Sequence, residues 1–253
     1  MAAEKSILGL VCGRRLAASL MRLDGFYCFA IALLASASAS AETSSEFEIK
    51  TDDRFRGRSL SNGNPVIDVD INVDMASGIY AGASTTFILS GQTQPVFQGV
   101  DGFIGFATRI DENVTLDVGV AGYAFTKNYS GNADDRYAEI YAGLSSGNFA
   151  AYVHYTSNYF DESIPVIYGE INFSKPMGSG YAVKAHAGLL AQTSGPSRLG
   201  GKSTRYDARV ALSRPLLGLD AEIAWTYAGP NDRYFDGPWD GNSALVFSIA
   251  KNF

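Results

Sequence analysis

The chain has 253 residues, a formal charge of −6 at neutral pH and an abundance of Gly, Tyr and Phe (27, 14 and 15). Its acidic balance excludes a nucleic-acid binder, whose footprint is basic. The length suits a single β domain, and the composition opposes a helical bundle.

The first element is a leader. Met21-Arg22-Leu23-Asp24 is a short charged start, Gly25 to Leu34 an apolar run, and Ala39-Ser40-Ala41 an A-x-A site before Glu42. That is the order of a secretory signal peptide, and its apolar run is too short to span a bilayer as a helix. Residues 1–41 are therefore expected to be an N-terminal extension and cleaved signal peptide, with translation starting at Met21 and export through the Sec pathway. Arg14-Arg15 resembles a twin-arginine signal, but that route carries folded proteins and does not suit a barrel that must reach its membrane unfolded. Neither Cys12 nor Cys28 follows the small residue that a lipoprotein site needs. Cleavage after Ala41 removes both, so residues 42–253 are expected to hold no disulfide, thiolate metal site or cysteine nucleophile.

From Phe47 onward apolar and polar residues alternate, as in strands with one apolar face. Ile67, Val69, Ile71 and Val73 interleave with Asp68, Asp70, Asn72 and Asp74. Later, Leu219, Ala221, Ile223, Trp225 and Tyr227 interleave with Asp220, Glu222, Ala224 and Thr226. The pattern predicts twelve strands, near 46–58, 65–75, 78–90, 97–110, 113–127, 135–146, 148–159, 163–175, 180–192, 203–214, 217–228 and 242–253. In the last, Leu245, Phe247, Ile249 and Phe253 share one face and the chain stops on an aromatic residue. A closed barrel needs such a strand to pair with its first.

The connections sort into two sets. Ala76-Ser77, Asp111-Glu112, Gly147, Pro176 to Ser179 and Pro215-Leu216 are short, whereas Gly91 to Val96, Asn128 to Asp134, Ser194 to Lys202 and Gly229 to Gly241 are long. Ser61 to Asn64 and Phe160 to Glu162 are short members of the long set. An even strand count with short and long turns at opposite ends predicts an all-β, antiparallel up-and-down transmembrane barrel of about twelve strands over residues 42–253, with both termini periplasmic. Its lipid-facing strands imply a bacterial outer membrane as location and outer-membrane lipid as surroundings. Tyr80, Phe125, Tyr129, Tyr155, Phe173, Tyr181, Trp225 and Tyr227 lie near strand ends, where interfacial girdles are expected.

Several stretches resemble a known family. Asp53-Arg54-Phe55-Arg56-Gly57-Arg58 is similar to the first hairpin of the TorF family of porins, with Arg54 where that family usually places an aromatic residue. Ser77-Gly78-Ile79-Tyr80-Ala81-Gly82, Tyr137-Ala138-Glu139-Ile140-Tyr141-Ala142-Gly143 and Val246 to Phe253, including Lys251, resemble its third, central and last strands. The resemblance implies an outer-membrane barrel and names no solute. The ending also resembles the aromatic signal read by the barrel-assembly machinery, with Phe247, Ile249 and Phe253 as its assembly residues.

Charges on the polar faces suggest a lumen. Arg54, Arg56 and Arg58 are expected to continue the inward face of the first strand, opposite Asp68, Asp70 and Asp74 on the next. Arg54, Arg56, Asp68, Asp70, Glu139, Glu170, Lys184, Arg209 and Glu222 would set the selectivity of a channel for passive diffusion of small polar or ionic solutes, as charged rings do in pores. The other reading is a filled, non-conducting barrel that has a structural role or binds a ligand or partner. His154 and His186 are expected as solvated lumen residues, not metal ligands. No G-x-S-x-G or P-loop is present, so neither an enzyme nor a cofactor is expected.

Overall fold

The computed structural model describes residues 41–91, 94–126, 135–161, 163–195, 203–229 and 243–253. In chain order the strands among them are β1 (Ala41–Lys50), β2 (Arg54–Phe55), β3 (Arg58–Ser59), β4 (Val66–Met75), β5 (Ile79–Ile88), β6 (Val96–Asp111), β7 (Val114–Phe125), β8 (Asp135–Ser146), β9 (Phe149–Thr156), β10 (Val166–Pro176), β11 (Ala182–Gln192), β12 (Thr204–Leu216), β13 (Leu219–Gly229) and β14 (Ser243–Asn252). All but β2 and β3 close into a barrel of twelve antiparallel strands, each paired with its neighbours in sequence, and β1 joins β14 to complete the ring. The short β2 and β3 pair only with each other, as a separate hairpin. No helix among the described residues is long and apolar enough to cross a membrane; the candidates for crossing are the strands.

The seam is held at the chain end. Glu46 sits opposite Asn252 and Lys50 opposite Ser248. Ser45 and Phe253 exchange backbone hydrogen bonds of 3.3 and 2.9 Å. On its other side Glu46 faces Asp70 in the β1–β4 register. The terminal strand thus finds its partner in the first, as its pattern requires.

The alternation is inverted relative to a water-soluble core. Ile71, Ile140 and Ile171 are 52%, 59% and 58% exposed, whereas Asp68, Glu139 and Tyr168 are 2%, 2% and 1% exposed. The apolar faces point outward around the whole ring and the polar faces point into the lumen, as a strand between lipid and lumen demands.

At the end that holds Ala41 and Phe253 the connections are tight. Leu217 and Gly218 both have positive φ (55° and 80°) between the paired Leu216 and Leu219. This is the arrangement of a type I′ hairpin, two residues beyond the expected Pro215-Leu216 turn. Gly147, at φ 57°, serves β8 and β9. Of the expected long connections, Asn128 to Asp134 and all of Gly229 to Gly241 except Gly229 lie outside the described residues, as do parts of Gly91 to Val96 and Ser194 to Lys202.

The main departure concerns the first strand. The alternation carries it to residue 58, but β1 ends at Lys50 and the chain turns into the barrel. Adjacent Asp52 and Asp53 break the alternation, and Asp52 organises the departing segment. Its carboxylate accepts from Ser59 and Ser61 hydroxyls at 2.5 and 3.0 Å and from Arg54 Nε at 2.6 Å. The expected girdle also divides. Tyr155 and Trp225 face outward, but Tyr80 and Phe125 point inward and are buried; Tyr129 lies outside the described residues.

Candidate functional site

The segment 51–65 crosses the lumen. Arg56 and Gly57, with φ of 47° and 77°, form the two-residue turn between β2 and β3. Type I′ geometry requires positive φ at both positions, which Gly57 adopts freely and Arg56 at a cost of order 1 kcal/mol. Glycine is needed at 57 for space as well. A Cβ there would stand 2.7 Å from the Tyr227 carbonyl oxygen and 2.8 Å from the Cβ atoms of Ala228 and Asp207. The tip therefore rests directly on β12 and β13.

On the opposite flank Arg56 reaches β8. Its Nη2 donates to both oxygens of Glu139, at 3.0 and 2.7 Å, with both side chains almost fully buried. The Tyr123 hydroxyl donates to the same carboxylate at 2.8 Å, and His154 Nδ1 stands 3.1 Å away. The guanidinium carbon lies 4.1 Å from the Tyr168 ring centroid and 4.9 Å from that of Phe55, within cation–π range. Burial works to lower the pKa of Arg56, but the Glu139 carboxylate outweighs it and holds the group well above the usual arginine value. Arg56 is a fixed cation.

The hairpin is tied down at its base too. Gln98 on β6 donates to Asp53 at 2.9 Å. Lys50 bonds Asp68 on β4 at 2.6 Å, and Asp68 also accepts from Thr86 on β5 at 2.6 Å.

A second loop, between β9 and β10, meets the hairpin from the other side. Its Phe160 has φ 51°, an uncommon conformation for a bulky residue. The ring stacks on Phe125 at 5.5 Å and contacts Phe55 edge-on at 6.1 Å. Phe55 in turn meets Tyr123 at 5.5 Å. Leu60, Tyr159, Ile164, Val166 and Leu190 complete an apolar cluster inside the barrel. Aromatic pairs of this kind add about 0.5–1.5 kcal/mol each beyond their burial. The two connections that are short for the long set thus both fold inward and pack together.

Below the hairpin the wall is joined side chain to side chain. Asp117 accepts from Tyr80 at 2.5 Å and Tyr152 at 2.9 Å, and Tyr80 meets Tyr141 at 2.6 Å. His186 bonds Asp207 at 2.7 Å and Asn172 at 2.8 Å. Lys184 bonds Glu222 at 2.7 Å, and Arg209 pairs with the same carboxylate. The histidines are therefore mostly buried among carboxylates instead of bathed in water. Among the described residues no group of three or more His, Cys, Asp or Glu is placed to hold a metal ion.

The charged residues singled out in the sequence all line the interior or the hairpin, but their neighbours differ from expectation. Arg54 and Arg56 stand on the inner hairpin, not on β1, because the chain leaves the wall at Lys50. Arg54 bonds Asp52 and the Gly57 carbonyl. Arg56 pairs with Glu139, and Asp68 with Lys50. Asp70 lies beside Glu46 in register. Glu170 accepts from Asn172 at 3.0 Å, while Lys184, Arg209 and Glu222 form one cluster. Phe247 and Ile249 face outward on β14, and Phe253 closes the seam. Sequence reasoning missed Asp53, Gln98, Asp117, Phe160 and the inward role of Gly57. The visible signal was Arg56-Gly57 followed by the turn-forming Ser61-Asn62-Gly63-Asn64-Pro65.

The sequence profile of a bacterial family, Gcw_chp, described as a bacterial protein of unknown function, matches residues 34–253. No curated protein sequence matches the chain. Among solved structures, the KdgM porin superposes with a TM-score of 0.51 at 10% identity, covering 83% of this chain and 99% of that one. The NanC porin superposes with a TM-score of 0.50 at 12% identity, covering 83% and 98%. At such identities the likeness is one of fold: a porin-like barrel of the outer-membrane type.

Proposed function

The chain belongs to the Gcw_chp family of bacterial proteins of unknown function, and we propose that it is an outer-membrane barrel of the porin type held shut by its first inward hairpin. Small polar or ionic solutes pass by diffusion along the charged wall only when that hairpin leaves its seat. Arg54, Arg56, Asp68, Asp70, Glu139, Glu170, Lys184, Arg209 and Glu222 then line the path and select by charge. The outward apolar ring supports placement in outer-membrane lipid. Export through Sec and insertion by the barrel-assembly machinery through Phe247, Ile249 and Phe253 belong to the same reading. Affiliation with the TorF porins rests on the motif resemblance alone.

One observation carries the proposal. The wall of a water-filled pore is wet, whereas here Asp101, Asp117, Glu139, Tyr152 and Tyr168 are each less than one-tenth exposed. The hairpin touches β6, β7, β8, β10, β12 and β13 through Gln98, Tyr123, Glu139, Tyr168, Asp207 and Tyr227. The same dry wall favours a second reading, a permanently filled barrel that conducts nothing.

Planar-bilayer recording separates the two. Lys50 and Val66 are direct cross-strand partners, so residues 51–65 can be replaced by Asn-Gly without altering the β1–β4 register. The proposal expects a wild-type protein that is closed most of the time and a replacement variant with steady conductance steps. A folded variant that stays silent would leave only the filled-barrel reading.

A further inference from the structure

Along β9 to β14 the outward positions carry apolar, small or hydroxyl-bearing residues, except at Lys175 on β10, Arg214 on β12 and Lys251 on β14. These exceptions are all basic and exposed, and they stand at the end that holds Ala41 and Phe253. Each is bracketed on its own face by apolar side chains: Lys175 by Phe173 and Met177, Arg214 by Leu212 and Leu216, Lys251 by Ile249 and Phe253. The cations therefore lie within the apolar belt and not beyond its edge. Among the described residues no carboxylate pairs with them. Arg214 Nη1 donates to the Tyr181 hydroxyl at 3.0 Å, and Lys251 Nζ to the Gly218 carbonyl at 3.1 Å. The carboxylates of the intervening β13, Asp220 and Glu222, belong to its other face and are engaged by Asn252 and Lys184. Charge on a lipid-facing strand is costly in a depth-dependent way and tolerated best near the interface, so this face is suited to an anion from outside the chain.

We propose that this face of the rim binds the headgroup phosphates of anionic phospholipids in the leaflet around the chain termini, with the acyl chains on the apolar belt that continues above it. The Arg214–Tyr181 pair is the principal seat. Ala182 pairs with Ser213 across β11 and β12, so Tyr181 and Arg214 lie side by side, with the guanidinium carbon 5.0 Å from the ring centroid. The Tyr181 oxygen accepts from Nη1, so its own O–H is left to donate to a phosphate oxygen beside the remaining guanidinium N–H groups. A guanidinium fork held in this way matches phosphate geometry. Ala221, the partner of Arg214 on β13, is small and leaves space toward Lys251, which stands two strands and so about 10 Å away across the sheet. Lys251 is the lesser donor, because the terminal carboxylate of Phe253 lies at its end of the face. The stems of Lys175 and Lys251 can run along the apolar surface and carry their ammonium groups to headgroup level. This inference rests on outer-membrane placement with both termini periplasmic, but neither on the inward hairpin nor on conduction.

The test is native mass spectrometry of the full-length barrel, folded in detergent micelles and incubated with an equimolar mixture of dioleoyl phosphatidylglycerol and dioleoyl phosphatidylcholine. Both lipids carry a phosphate, but only the first is anionic. Wild type should retain the anionic lipid over the zwitterionic one by about fivefold or more, and Arg214→Gln should cut that ratio about fivefold, the order expected for one cation at an anionic surface. Lys251→Gln should lower it by less. Arg109→Gln removes the same charge from β6, across the ring, and should leave the ratio unchanged. Heat-modifiable migration checks that each variant is folded, and if Arg214→Gln fails that check the Lys251→Gln result decides. Equal retention of the two lipids by wild type overturns the proposal, as does an equal loss of preference in Arg109→Gln. Displacement of the bound lipid by inorganic phosphate at constant ionic strength would mark a site for free phosphate, and a lipid-free dimer would mark a face for a second copy; either result overturns the proposal too. A folded barrel without lipid preference counts against this site alone, whereas a chain that forms no heat-modifiable barrel in any lipid or detergent counts against the membrane placement itself.

Discussion

Removing either member of the Arg56–Glu139 pair strands a charge in a buried setting, at a cost of about 3–5 kcal/mol. Arg56→Ala and Glu139→Ala should each lower the urea midpoint of the micelle-folded barrel. The double variant should lose clearly less than the sum of the two, since it leaves neither charge alone; strict additivity would show that the pair is not coupled. Gly57→Val forces a side chain onto the Tyr227 carbonyl oxygen and unseats the hairpin tip, at a cost of order 1–3 kcal/mol. Trypsin should then cut at Arg54, Arg56 or Arg58, bonds that stay resistant in the wild type. At this scale the sequence disclosed which residues are charged and inward, because alternation sorts faces. It did not disclose their partners. The pattern sets Arg56 against the aspartates of the neighbouring strand, yet its carboxylate comes from residue 139, since a hairpin inside a ring can reach any wall.

Strands were legible because their period-2 pattern is imposed by lipid on one side and lumen on the other, and eleven of them fall within a few residues of expectation. The first ends earlier than its pattern, because Arg54, Arg56 and Arg58 happen to continue the alternation after the chain has left the wall. The cue against it was local: Asp52-Asp53 breaks the period and Arg56-Gly57 suits a tight turn. The inward loop after β9 carried no such cue, since Phe160 is buried by contacts with distant elements. Replacing residues 51–65 by Asn-Gly should leave a heat-modifiable barrel with native strand content by circular dichroism, because Lys50 and Val66 are already paired; loss of the barrel would mean the hairpin is needed for closure. Deleting Phe253 removes the residue that exchanges hydrogen bonds with Ser45 and should sharply lower the amount recovered in the outer membrane. Unchanged recovery would reduce the terminal strand to an ordinary edge.

Across the whole molecule the chain is turned inside out, with an apolar exterior and a charged, tyrosine-rich interior that two inward loops and a network of side-chain bonds leave nearly dry. Closure by the hairpin is the claim on which the functional reading stands, and a single thiol tests it. In a chain with Cys12 and Cys28 replaced by alanine, Ala121→Cys puts the only sulfhydryl on the inner face of β7, where the native side chain is 7% exposed within the cluster that includes Phe55 and Leu60. Reaction with a membrane-impermeant maleimide, applied to the folded barrel in vesicles, should be slow while residues 51–65 are native and at least about tenfold faster once they are replaced by Asn-Gly, since cysteine reactivity follows access. Rapid labelling with the native hairpin in place would show a wet, open lumen and contradict the account.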